Sequence, residues 1–179
     1  MSRKLLVSIH LYLAAFFAPM VIIMAISGGL YLFGIKGQMN YQQVAEVTAP
    51  EWSQQSDERQ QQVKALLQSQ QLDSDFEYVK IKGDQWYTRP TSREHFRLQM
   101  QDDLVVISRA EPNLQAMVME LHKGHGPGWF KWFEKLFAVG LLFIMVSGLV
   151  LGLQSPMLKN KTLALSAGGL LVFLLLALV

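Results

Sequence analysis

Residues 5–35 read LLVSIHLYLAAFFAPMVIIMAISGGLYLFGI, 31 consecutive positions without Lys, Arg, Asp or Glu. As a helix rising about 1.5 Å per residue, such a run exceeds the roughly 30 Å hydrocarbon core of a bilayer. A secretory signal peptide is the competing reading, because Arg3 and Lys4 make a basic start and Ser27, Gly28 and Gly29 are small enough for cleavage. The apolar stretch is about twice as long as a signal peptide's, so it is read as a retained transmembrane helix. Pro19 should free the Ala15 carbonyl and kink the span.

Working outward, residues 136–153 and 162–179 form two more apolar runs of 18 residues each, separated by the polar turn QSPMLKNK. Both are near the minimum length for spanning. Trp129, Phe130, Trp132 and Phe133, interleaved with Lys131 and Lys135, precede the second run as an interfacial aromatic belt would. The positive-inside rule puts Arg3, Lys4, Lys159 and Lys161 in the cytoplasm. The expected organisation is therefore a cytoplasmic N-terminus and first span over 1–35, a periplasmic domain over 36–128, a second span over 129–153, a cytoplasmic turn over 154–161 and a third span over 162–179. This describes a multi-pass protein of the bacterial inner membrane.

Composition agrees. The 179 residues are 51% hydrophobic and 17% charged, which excludes both a typical soluble domain and a disordered chain. All 14 acidic residues fall between Glu46 and Glu134, and 12 of the 16 basic ones fall between Lys36 and Lys135. The middle is thus nearly neutral, and the net charge of +2 does not suggest a nucleic-acid partner. With no cysteine there is no disulfide, thiolate metal site, iron–sulfur cluster or covalent c-type haem attachment. A redox cofactor would have to be held by histidine or methionine.

Within the middle domain, residues 56–71 are rich in helix formers, with Ser56 as candidate N-cap of a solvent-facing helix. Residues 75–90 read as two strands turning at Gly83 and Asp84, and residues 95–108 as two more turning at Asp102 and Asp103. Phe96, Leu98 and Met100 alternate with polar neighbours, so one sheet face should pack on the helix. A helical pattern resumes from Pro112 to His122. The domain is expected to be a small α+β fold.

Candidate chemistry rests on four histidines. His10 lies in the first span, where an ionisable side chain is costly and is a functional candidate, although a neutral, hydrogen-bonded imidazole near the interface is an equal alternative. His122 and His125 would share a face if their helix ran on through Gly124. They could equally mark a helix end or hold a ferrous or other divalent ion. His95 reads as an ordinary surface residue. Glycines add to this: the first span carries Ser27, Gly28, Gly29 and Gly34, the second Ser147, Gly148 and Gly152. Gly148 and Gly152 allow close helix packing, and a flat macrocycle also needs side-chain-free walls. An antiparallel pair of spans would give each membrane face a histidine and a glycine-lined surface, which suits two b-type haems with imidazole ligands. Helical rise separates His10 from Gly34 by about 36 Å, so His10 and His125 cannot share an iron. The cytoplasmic half has no second histidine, so a bis-histidine haem there requires His10 from a second subunit and hence a homodimer. Met145 or Met157 is the alternative sixth ligand.

The segments SIHLYLAAFFAPMVIIMAISGGLYLFG and ELHKGHGPGWFKWFEKLFAVGLLFIMVSGLVLGL, with a small α+β domain between them, resemble the PepSY-associated transmembrane proteins. A chain of this size is similar to a Vibrio-type inner-membrane ferric reductase of that family. The resemblance implies three spans with a PepSY-like periplasmic domain. It makes His10, with His122 or His125, axial ligands of haem b, and it makes Ser27, Gly28, Ser147 and Gly148 residues lining the haem faces. It also implies reduction of ferric iron or a ferric chelate at the outer surface by electrons from membrane quinol or a cytoplasmic reductant, in support of a ferrous iron transporter. No carboxylate or nucleophile would act as a bond-breaking catalytic residue. The contrasting expectation is a non-enzymatic accessory protein, anchored by its spans, whose outer domain binds an envelope partner.

Overall fold

The structure, a computed structural model, describes residues 2–178; Met1 and Val179, at the ends of the first and last expected segments, lie outside the described residues. The element order is α1 (Arg3–Leu32), β1 (Met39–Thr48), α2 (Ser56–Ser69), β2 (Tyr78–Lys82), β3 (Gln85–Arg89), β4 (His95–Gln101), β5 (Leu104–Pro112), α3 (Leu114–His122), α4 (Gly128–Leu153) and α5 (Lys159–Leu178). Helices α1, α4 and α5 are each long and apolar enough to cross a membrane. The chain divides into two compact units, one of Ile22–Glu134 and one combining the residues before Ile22 with those from Lys135 onward.

In the latter unit, α1 and α4 meet with their numbering running in opposite senses: His10 lies against Gly148 and Phe17 against Gly140. Phe17 is 3% exposed. Its ring packs where a Gly140 side chain would sit and meets Phe137 edge-on at 5.5 Å between centroids. Small residues let the backbones approach without a hydrophobic drive between lipid-solvated helices. Gly148 and Gly152 divide that work, for Gly148 faces α1 and Gly152 faces Thr162 of α5.

In the Ile22–Glu134 unit, one antiparallel sheet has the order β1-β5-β4-β3-β2. Strand alternation puts Phe96, Leu98, Val105, Ile107 and Trp86 in a core with Val63 and Leu67 of α2. The turns fall at Gly83 and Asp102, both in the left-handed region. Four strands were expected here and there are five. The added strand, β1, pairs along its length with β5, from Met39 opposite Pro112 to Thr48 opposite Leu104. Ser56 is not the N-cap of α2: Gln55 takes that place without a side-chain bond, and Ser53 donates to Glu58 at 2.6 Å instead. Nor is α2 merely solvent-facing, since Val63 and Leu67 are fully buried.

The α4 N-terminus is satisfied by a carboxylate distant in sequence. Glu77 Oε1 accepts from the Gly128 N–H at 2.5 Å, and its Oε2 accepts from Lys131 at 3.1 Å. An acceptor there meets an otherwise orphan donor at the positive end of the helix dipole. Replacing Glu77 with Ala should cost about 1 kcal/mol. Thermal unfolding of the purified chain should show a drop of a few degrees, smaller for Glu77→Gln, which keeps an acceptor for Gly128.

Candidate functional site

Two imidazoles are held by the same three-part arrangement. His10 Nδ1 lies 2.8 Å from Ser147 Oγ, and His122 Nδ1 lies 2.9 Å from Ser27 Oγ. Each serine hydroxyl also reaches a carbonyl of its own helix, Ser147 that of Ile144 and Ser27 that of Met24, both at 3.1 Å. Where that carbonyl takes the serine proton, the serine oxygen accepts from the ring, the ring carries its proton on Nδ1, and Nε2 keeps a lone pair. Neither Nε2 has a hydrogen-bond partner among the described residues.

The residue after each serine is a glycine, and the ring lies over it. A Cβ on Gly28 would stand 3.1 Å from His122 Cε1, and one on Gly148 would stand 3.2 Å from His10 Cε1. Any side chain would push the imidazole away from its serine. Both serines are buried, at 4% exposure, so the anchoring bonds are shielded from solvent. A buried hydrogen bond to Nδ1 restrains the plane of each ring.

His125 is placed differently. Helix α3 ends at His122, with Lys123 as C-cap and Gly124 at a left-handed φ of 73°. The Gly124 N–H bonds to the Leu121 carbonyl and the His125 N–H to the Glu120 carbonyl, both at 2.9 Å. These are the paired bonds of a Schellman ending. The helix thus does not run on through Gly124, and His122 and His125 do not share a face. The reversal turns His125 back onto α3, where its Nδ1 donates to Glu120 Oε2 at 2.7 Å.

Glu120, which sequence reasoning did not single out, is the centre of a third cluster. It also accepts from Thr91 at 2.6 Å and from Lys123, and Arg89 stands 3.6 Å away. Burial favours the protonated carboxyl, but the hydrogen bonds from Lys123, Thr91 and His125 outweigh it and hold Glu120 down to about 2. Burial lowers the His125 pKa, opposed by its bond to Glu120, so this ring is neutral near pH 7. His95, expected at the surface, is 4% exposed with Nδ1 bonded to the Arg93 carbonyl at 2.9 Å. Strand β4 turns its first residue inward beside Ala110.

The structure therefore brings His10 to Ser147 and Gly148, and His122 to Ser27 and Gly28, while His125 belongs to a separate cluster. Among the described residues, no group of three or more His, Cys, Asp or Glu side chains could hold a metal ion. The ferrous site considered for His122 and His125 has no such donor set. Gly124, the second residue after His122 in ELHKGH, is the signal that could have revealed the Glu120–His125 pairing.

The family model described as the PepSY-associated TM region matches residues 7–175. The chain belongs to this family, and with its three spanning-length helices it is a multi-pass membrane protein. No curated protein and no solved structure matches it.

Proposed function

We propose that this PepSY-associated membrane protein is a haem b electron-transfer protein that carries electrons across the bacterial inner membrane and delivers them to ferric iron on the periplasmic side. One observation carries the reading: the His–Ser–Gly arrangement occurs twice, each time with Nδ1 held by serine and Nε2 left without a hydrogen-bond partner. When bound, haem b supplies an iron that alternates between two oxidation states.

His10 and His122 would each give one axial nitrogen. Ser147 and Ser27 hold the rings in one plane, and Gly148 and Gly28 leave room for the ring to lie flat on the helix. Residues 1–21 and 135–179 contain no histidine besides His10, and His95 and His125 are bonded elsewhere. A second axial imidazole at either site would come from a second copy of the chain, so the working unit in this reading is a homodimer. Ferric iron or its chelate takes one electron per ion, the donor is quinol or a cytoplasmic reductant, and the ferrous product passes to a separate transporter.

The test is a spectrum of the detergent-purified chain after expression with ample haem. A Soret band, with α and β bands after dithionite, is expected. A colourless protein would leave the accessory-protein reading in its place.

A further inference from the structure

Helix α2 covers one face of the sheet, and the opposite face is strongly basic. Tyr87 follows the core residue Trp86 and so points to this open face, flanked across the strands by Lys80 and Arg97. The Arg97 guanidinium lies 4.0 Å from the centre of the Tyr41 ring. The end of α3 closes one side and leaves a cleft of about 680 Å³. Lys80, Lys82, Arg89 and Lys123 line it against the single carboxylate of Glu120, with the Tyr41 and Tyr87 rings beside them. Glu120 already holds Arg89 and Lys123, whereas Lys80 and Lys82 are exposed and have no carboxylate partner among the described residues. A cleft of this size suits a small molecule. Its unspent positive charge, set beside aromatic surface, calls for an anion with a carbon body.

We propose that this cleft binds a small polycarboxylate, whose charges pair with Lys80 and Lys82 and whose carbon skeleton rests on Tyr41 and Tyr87. That the bound form is a ferric polycarboxylate chelate rests on the electron-transfer reading above; binding of the free acid does not. Both lysines on β2 lie on the rim, where charge pairs are partly screened, so two or more must act together. The neutral His95 and His125 and the neutralised Glu120 leave the sign of the cleft unchanged around pH 7.

Calorimetric titration of the full-length protein in detergent at low ionic strength tests this, with citrate, ferric citrate and pyrophosphate as probes. Saturable citrate binding is expected, weaker by about tenfold or more in the Lys80→Gln, Lys82→Gln double variant and in about 0.3 M salt. The variant's Soret band should match wild type, since neither lysine touches the histidine sites. No saturable citrate binding, or equal affinity in the double variant, would overturn the proposal. Tighter binding of pyrophosphate, which has the charge without the carbon body, would overturn the polycarboxylate assignment. A pigmented protein that ignores citrate refutes this proposal alone, and a colourless one that binds it refutes the electron-transfer reading alone.

Discussion

If the chain holds haem as proposed, His122→Ala and His10→Ala should each remove one haem site, and the double variant should emerge colourless. Each substitution deletes the Nε2 that its serine–glycine seat presents. In a homodimer the partner copy carries the same change, and a site built from two equivalent imidazoles loses both. Haem content by pyridine haemochrome should fall to about half in each single variant. Ferric reduction should fall to background in either, because a two-site path fails when one site is empty. His125→Ala should keep full haem content, since that ring is committed to Glu120. The serines give a graded version: Ser27→Ala and Ser147→Ala leave the ligand atom but free its ring. Loss of a group that orients a metal ligand typically costs about 10- to 100-fold in affinity, so these variants should bind haem and lose it on dilution. Pigment that survives His10→Ala with His122→Ala would refute the assignment of both ligands.

The parts of this structure legible in the sequence are those governed by local rules. Uncharged length announced three spanning helices, and Gly83–Asp84 and Asp102–Asp103 announced two hairpins because their turns demand left-handed backbone. Strand β1 escaped notice because its partner β5 lies more than fifty residues away and no tight turn joins them; MNYQQVAEVT is too polar to stand out alone. The serine–histidine bonds span 137 and 95 residues, and no periodicity encodes such a pairing. What could be read was the repeated Ser-Gly dipeptide in two spans, which placed small residues where something flat could rest. A histidine opening a strand reads as exposed from sequence, whereas the sheet neighbours of His95 bury it. His125 depended on Gly124: a helix that ended there would fold the ring back toward Glu120, and one that continued would stack it over His122. The left-handed glycine chose the first.

Glu120→Ala should destabilise the sheet-bearing unit by about 3 kcal/mol or more. Its carboxylate is 13% exposed, and the Arg89 side chain beside it is 11% exposed. Removal strands Arg89, Thr91, Lys123 and His125 at once. Deleting one member of a buried ionic cluster costs about 3–5 kcal/mol, because the partners stay desolvated and unpaired. Glu120→Gln keeps an acceptor for Thr91 and His125 and gives up only the charge, so it should cost less. The pH dependence separates charge from packing. Because the folded carboxyl is depressed from 4.5 to about 2, its contribution is complete above pH 4.5 and disappears as the pH falls through 2. The linked stability is about 3 kcal/mol at neutral pH. Thermal unfolding should therefore show a gap between wild type and Glu120→Gln that is constant from pH 5 to 7, roughly halves by pH 3 and closes near pH 2. A gap indifferent to pH would mean that Glu120 acts through shape and hydrogen bonding alone. Because His10, His122, Ser27 and Ser147 lie outside this cluster, the haem spectrum of Glu120→Gln should match wild type at pH 7. The sheet's stability and the imidazole sites then stand as separately measurable properties of one chain.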